Sequence, residues 1–205
     1  MSNQNKIKNI IFDLGAVLID LDASKTTKCF GTKISPLYAE KMNPDFINIA
    51  HKFERGELSA AKFRKKVCEI FNIVISSEAF DECWNAMIGT MPTNRINMLL
   101  QVRKEYRIFV LSNTNEIHNK YFMEQDFWES KVFEKVYLSN LVGMRKPEPE
   151  IFELVLNENN LLPEETVFVD DNAENIEAAK KLGIKALLVD KEVEIILNDY
   201  LKNRK

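Results

Sequence analysis

The stretch Ile10-Ile11-Phe12 runs directly into an aspartate, Asp13, with Gly15 two residues on and a second apolar run, Val17-Leu18-Ile19, behind it. A short apolar run rich in β-branched residues reads as a strand buried on both faces, as in a parallel sheet. That constrains the chain strongly, because parallel strands need long crossovers and a cover on each face. Asp13 then stands at the carboxyl end of the strand. In open α/β sheets ligands bind in the crevice beyond that edge. A carboxylate there can be a nucleophile, a base or a metal ligand, or it can merely cap a neighbouring helix.

Behind this strand the pattern changes. From Ala23 to about Thr93 the periodicity is helical, with no convincing strand. Pro44–Arg55 puts Phe46, Ile49, Ala50 and Phe53 on one face and stops at Gly56. Ser59 can cap a second helix with Phe63, Val67, Ile70 and Phe71 as its stripe. Ser77 begins a third, carrying Phe80, Trp84 and Met87. Aromatics at this spacing make a core, and the lone His51 reads as structural. From Thr93 helix and strand alternate. The expected helices are Thr93–Glu105, Asn115–Glu124, Pro149–Asn157, Ala173–Leu182 (stopping at Gly183) and Glu192–Leu201. The expected strands are Arg107–Leu111, Lys135–Leu138, Thr166–Val169 and Lys185–Val189. This alternation predicts an α/β fold with a doubly wound, mostly parallel sheet. The basic tail 202–205 is expected to fray.

At 205 residues and net charge −3, with basic residues scattered, the chain is not expected to bind nucleic acid. No apolar run reaches transmembrane length, and 1–6 leads into a strand rather than a signal peptide, so no membrane partner is expected. Cys29, Cys68 and Cys83 are odd in number and lack metal-like spacing. They read as free thiols that pack in a reducing, cytoplasmic setting. Oligomeric state has no signal.

Three expected strands end in polar groups: Asp13, Ser112-Asn113 and Asp170-Asp171. If these strands are parallel neighbours, the groups converge. Carboxylates crowded in one crevice repel one another and need cations. A magnesium ion takes one or two carboxylates, waters and a substrate phosphate. Lys146, set between Arg145 and Pro147, is a candidate fixed charge. Ser112 offers a hydroxyl, and the amides after it could cradle an anion. Together these parts suit phosphoryl transfer, with Asp13 attacking phosphorus to form an aspartyl-phosphate and Lys146 and Ser112 binding its oxygens. Taken singly, Lys146 could be a surface lysine and Ser112-Asn113 or Asp170-Asp171 mere helix caps.

In their order these segments resemble the four motifs of the haloacid dehalogenase-like hydrolase superfamily. They are Phe12-Asp13-Leu14-Gly15-Ala16-Val17-Leu18, then Leu111-Ser112-Asn113, then Lys146 within Arg145-Lys146-Pro147-Glu148-Pro149, then Phe168-Val169-Asp170-Asp171-Asn172. The resemblance implies a Rossmann-like catalytic core over 1–20 and 94–205, with an inserted helical cap over 21–93. It implies magnesium on Asp13, the Gly15 carbonyl and Asp171, with Asp170 behind them or acting through water. Ser112, Asn113 and Lys146 would hold a small phosphorylated substrate, a sugar phosphate among the options.

One position departs from the pattern. Similar phosphatases carry a second aspartate as general acid/base where this chain has Gly15. Such a group contributes about 10²–10⁴-fold, or roughly 3–5 kcal/mol of barrier. A good leaving group could compensate, such as the anomeric oxygen of a sugar 1-phosphate, and the resemblance to glucose-1-phosphate phosphatases favours this. A cap residue (His51, Glu54 or Glu57) or Asp20 or Asp22 could substitute instead. Two alternatives stand beside the phosphatase: a weakened protein that only binds a phosphometabolite, and a phosphonoacetaldehyde hydrolase-like C–P hydrolase. The second needs a cap lysine, for which Lys52, Lys62, Lys65 and Lys66 are generic candidates. The Glu54-Arg55-Gly56-Glu57 loop is the cap segment expected nearest the site, or else a solvated turn.

Overall fold

The computed structural model of the 205-residue chain describes residues 6–31, 43–124, 128 and 131–202. Expectations for 1–5 and 203–205 lie outside them. Five strands form one parallel sheet in the order β3-β2-β1-β4-β5. They are β1 (Asn9–Phe12), β2 (Arg107–Ser112), β3 (Lys135–Leu138), β4 (Thr166–Asp170) and β5 (Lys185–Leu188). Every residue of β1 and of β4 is buried, as continuous apolar runs require in a sheet covered on both faces.

Side-chain alternation divides the core in two. Ile10, Phe12, Ile108, Val110, Val167 and Val169 face α5 (Thr93–Val102) and α10 (Val193–Lys202) through Met98, Leu99, Val102, Val193 and Leu197. Ile11, Phe109, Leu111 and Phe168 face α8 (Pro149–Asn159) and α9 (Ala173–Lys181) through Ile151, Phe152, Val155, Ile176 and Ala179. This is a Rossmann-like, doubly wound α/β fold.

Between β1 and β2 lies a helical insert: α1 (Ala23–Phe30), α2 (Pro44–Glu54), α3 (Ala60–Phe71) and α4 (Ser77–Asn85). Asn43, Ser59 and Ser76 cap α2, α3 and α4, each accepting a hydrogen bond from the first turn. The insert has its own core of Phe30, Phe46, Phe53, Phe63, Phe80 and Trp84, which also takes in Ile117 of α6 (Glu116–Phe122). The Phe53 and Phe63 rings stack at 4.1 Å. Each buried phenylalanine contributes about 1.5–3 kcal/mol. The two connections into the insert run side by side: Leu21 bridges Ile88, and Gly89 N donates to Asp20 O at 2.8 Å. A Cβ at Gly89 would stand 2.8 Å from that oxygen.

Three differences from expectation have local causes. Cys29 of α1 and Cys83 of α4 are joined in a disulfide, so only Cys68 is a free thiol. The two are 54 positions apart and meet because α1 packs on α4. The helix α7 (Ser139–Val142) and the 3₁₀ turn Pro163–Glu165, at four and three residues, are too short to show a period. The helix begun at Thr93 ends at Val102 rather than Glu105.

Candidate active site

The sheet register assembles the site. Phe12 pairs with Val110 on one side and with Val169 on the other. Asp13, one residue beyond Phe12, is therefore level with Asp170, one residue beyond Val169. Ser112 closes the neighbouring strand β2. Asp13 N donates to Val169 O at 2.8 Å, which fixes the turn out of β1.

Lys146 arrives on the loop between α7 and α8. Its main chain is clasped by Asn113, whose Nδ2 donates to Lys146 O and whose Oδ1 accepts from Lys146 N, both at 2.8 Å. The Lys146 side chain, 1% exposed, is far from the surface lysine that an isolated reading allowed. Its Nζ donates to Asp13 Oδ1 and to Asp170 Oδ2, each at 2.6 Å. Burial opposes the ammonium charge, but Asp13 and Asp170 outweigh it and hold Lys146 above the ordinary lysine range.

Asp170 is wholly buried and fully engaged. Oδ1 accepts from Asn172 N at 2.7 Å and Asn175 Nδ2 at 3.0 Å, and Oδ2 accepts from Lys146 and from Asn175 Nδ2 at 3.1 Å. These donors use the lone pairs a carboxylate has to offer. Asp171, the next residue, is exposed. Asp13, Asp170 and Asp171 each present an oxygen, all within 4.8 Å of one another. Burial first, and then the charge of Asp170, push the Asp13 carboxyl up to about 6, with Lys146 pulling the other way. Burial and Asp170 raise Asp171 as well. One ammonium cannot balance three carboxylates. The surplus negative charge and all-oxygen donor set fit a hard divalent cation.

Gly15 and Ser112 line a hollow together with Leu14, Ile19, Leu21, Ile88, Phe122 and His118. A Cβ at Gly15 would meet Leu21 Cδ1 at 2.7 Å, so a leucine methyl occupies the space where a longer side chain would start. His118, the titratable group on this lining, has both ring nitrogens occupied. Nδ1 lies 3.1 Å from Asn115 Nδ2, and Nε2 lies 3.1 Å from Trp84 O. Burial lowers its pKa to about 4.

Three of the substitute acids, Asp20, Asp22 and Glu54, have local partners. Asp22 caps α1, accepting from Ser24 N and Oγ, and the Ser24 bond holds it below the usual carboxylate range. Asp20 pairs with Arg95 at 2.8 Å and Glu54 with Arg145 at 2.7 Å. His51 is pushed down by burial and by Arg145. Glu57 is exposed, as are Lys52, Lys62, Lys65 and Lys66.

Sequence reasoning missed Asn175, which holds both oxygens of Asp170. Its placement five residues after Asp170, in the first turn of α9, was the available signal. The insert loop 54–57 does sit against the Lys146 loop, through Glu54 on Arg145 and Arg55 on Glu148.

Comparison with known proteins adds to this geometry. A family model described as haloacid dehalogenase-like hydrolase matches residues 10–189. The chain is 31% identical over 206 aligned residues to a D-ribitol-5-phosphate phosphatase of Bacteroides thetaiotaomicron, covering 94% of this chain and 99% of that one. Among solved structures, a haloacid dehalogenase family enzyme of B. thetaiotaomicron in complex with magnesium and inorganic phosphate superposes with a TM-score of 0.79. Its identity is 36%, over 89% of this chain and 93% of that chain. A predicted hydrolase of the same kind from Porphyromonas gingivalis reaches a TM-score of 0.84 at 27% identity, over 98% of this chain and all of that one. Matched along almost its whole length in both sequence and fold, the chain belongs to the haloacid dehalogenase-like hydrolase family.

Proposed function

We propose that this protein is a magnesium-dependent phosphatase that hydrolyses a small phosphorylated sugar or sugar alcohol through an aspartyl-phosphate on Asp13. The observation that carries this reading is the buried Lys146 ammonium held 2.6 Å from both Asp13 and Asp170 at the carboxyl edge of the sheet. A structural lysine would not be committed to a crevice shared by three carboxylates. The similar D-ribitol-5-phosphate phosphatase supports the substrate class, and the magnesium and phosphate bound in the similar Bacteroides structure support the cofactor.

Asp13, Asp171 and the Gly15 carbonyl would hold the ion, with Asp170 behind them because its lone pairs are taken within the protein. Bound there, magnesium would offset phosphate charge and orient the group for in-line attack. The remaining work falls to the chain. Ser112, the main-chain N–H of Asn113 and Lys146 hold the phosphoryl oxygens. The Asn113 side chain is spent on the Lys146 backbone. An Asp13 oxygen forms a bond to phosphorus as the ester oxygen departs. Water then attacks the aspartyl-phosphate, releasing phosphate and restoring Asp13. The insert, 21–93, acts as a cap over the core of 1–20 and 94–205, closing on the substrate and excluding water. No described helix is long and apolar enough to cross a membrane, and the Cys29–Cys83 disulfide removes the free-thiol ground for a reducing, cytoplasmic setting.

Departure of the ester oxygen without a carboxylic acid at Gly15 is the demanding step. A sugar 1-phosphate eases it with a leaving group of low basicity, whereas the primary alkoxide of a sugar-alcohol phosphate must take its proton from another donor, such as water. The C–P alternative has less support, because its candidate lysines Lys52, Lys62, Lys65 and Lys66 are all exposed rather than held in the buried setting a Schiff-base amine requires.

Phosphate release with and without magnesium, across sugar and polyol phosphates, a sugar 1-phosphate and an aryl phosphate, tests the reading. Turnover that requires magnesium and is lost in Asp13→Asn is expected. Binding of magnesium and phosphate with no turnover on any substrate would favour the non-hydrolytic alternative.

A further inference from the structure

The loop that carries Lys146 is gripped from two sides. On the core side Asn113 clasps the Lys146 main chain. On the other side the insert loop between α2 and α3 makes a closed ring of charged contacts with it. Arg145 Nε donates to Glu54 Oε2 at 2.7 Å. Arg55 Nε donates to Glu148 Oε1 at 2.9 Å, and Arg55 Nη2 donates to the same oxygen. The other oxygen of Glu148 accepts from Arg145 N at 3.1 Å, and Glu148 N donates to Arg145 O at 3.0 Å. The ring thus passes from Glu54 to Arg145, across the loop to Glu148, and back through Arg55.

Three features separate this ring from ordinary surface ion pairs, which contribute little singly. All four side chains are partly buried, between 16% and 30% exposed, so screening is reduced. The pairs are crossed: acid then base on the insert faces base and acid on the loop. A docking shifted by one residue would oppose like charges, so the ring sets register as well as attraction. Backbone also meets backbone beside it. Gly56 has φ +69°, and a Cβ there would lie 2.3 Å from Asn140 O of α7, so the insert loop seats directly on the core.

We propose that Glu54 and Arg55 are positioning residues for Lys146, setting the catalytic ammonium between Asp13 and Asp170 only when the insert is docked. The inference rests on the reading of Lys146 given above. Its physical content is a chain of contacts: Arg55 orients Glu148, Glu148 holds Arg145 N, and Arg145 is covalently bonded to Lys146. Removing Arg55 leaves Glu148 free to turn to solvent and the Arg145 amide without a fixed partner. Asn113 alone then restrains the Lys146 backbone. The insert therefore reports its docked state directly to the phosphate-binding cation.

The test uses the full-length protein and its best substrate with magnesium, comparing Arg55→Ala, Glu148→Ala and the charge swap Arg55→Glu with Glu148→Arg. Each alanine variant is expected to lower kcat about tenfold with KM changed less than about threefold, because a displaced lysine weakens interactions made in the transition state. The swap is expected to recover kcat to within about threefold, since it restores the pair with inverted sign. Amide hydrogen exchange across 143–148 is expected to quicken in the alanine variants and to slow again in the swap. A raised KM with unchanged kcat would overturn the proposal, since the loop would then be touching substrate rather than placing Lys146. Failure of the swap to recover kcat and exchange, in a variant with wild-type circular dichroism and magnesium binding, would also overturn it. Were the wild-type protein inactive on every phosphate ester, the phosphatase reading would fall on that result. The exchange measurement would still decide whether the insert governs the Lys146 loop.

Discussion

Lys146 is a buried cation whose Nζ satisfies two carboxylates at 2.6 Å, so its removal leaves two unpaired charges inside the protein. Breaking a buried pair in this way costs about 3–5 kcal/mol. Lys146→Met is expected to lose both activity and stability, with magnesium recovering part of the stability by neutralising Asp13; urea unfolding with and without the ion measures this. Lys146→Arg keeps the charge but brings a forked, planar group into a site shaped for an ammonium. It should retain more stability than the methionine variant and still lose turnover. Gly15 poses the opposite experiment. A new Cβ would meet only the tip of Leu21, a flexible side chain able to move, rather than backbone. Gly15→Asp is therefore expected to fold, and Gly15→Asp with Leu21→Ala to give the new carboxyl more room. General acid catalysis is worth about 10²–10⁴-fold where the leaving group is poor. The gain in kcat should thus be larger for an alkyl phosphate than for an aryl phosphate. Equal effects on the two esters would show that leaving-group protonation does not limit this enzyme.

At the scale of elements, the insert is stapled within itself and seated on the core by backbone contact. Gly56→Ala puts a Cβ at positive φ and drives it into Asn140 O. A cost of roughly 1–3 kcal/mol is expected from the strained backbone conformation, with faster hydrogen exchange at the insert–core boundary before any loss of the sheet. The Cys29–Cys83 disulfide links α1 to α4 across a separation of 54 residues, which in the chain-entropy account stabilises by roughly 4 kcal/mol. Thiol titration of the unfolded, unreduced protein should find Cys68 alone, and reductant should lower the melting temperature. Neither contact was legible in the sequence. Helical periodicity shows which face of α1 or α4 is apolar, not which helix it meets, so Cys29 and Cys83 read as free thiols. The strands were legible because a parallel strand buried on both faces is a continuous β-branched run, as in Ile10-Ile11-Phe12 and Thr166–Val169. The polar residues at their ends stood out for the same reason. The partners of Arg145 and Glu148 lie 91 and 93 positions away, and only the docked fold joins them.

For the whole molecule, the crowded carboxylates make the site a destabilised region that the proposed magnesium would relieve, and pH tests this. Without metal, the Asp13 carboxyl is pushed up to about 6 from an ordinary 3.8. Between those values the native state holds a proton that the unfolded chain has released. Stability therefore falls as pH rises through that window, by up to about 3 kcal/mol. His118 works in the opposite direction. Its pKa of about 4, down from 6.5, keeps it neutral in the fold while the unfolded chain protonates, so stability falls as pH drops below 6.5. The two trends oppose each other, and the melting temperature of the metal-free protein is a poor probe of either. The difference between magnesium-loaded and metal-free melting temperatures reports the proposed ligand carboxylates Asp13 and Asp171, both raised in the metal-free protein, because His118 contributes equally to both. A ligand at 100 times its Kd stabilises by about 2.7 kcal/mol. In a chain of this size each kcal/mol moves the melting temperature by about 2–4 °C. The magnesium shift is expected to be small at pH 5, where the ion competes with a proton on Asp13, and to grow to several degrees by pH 7. His118→Gln should change both melting curves and leave their difference intact, whereas Asp171→Asn should abolish the difference. A magnesium shift equal at pH 5 and pH 7, or one that survives Asp171→Asn, would place the ion away from this cluster of carboxylates.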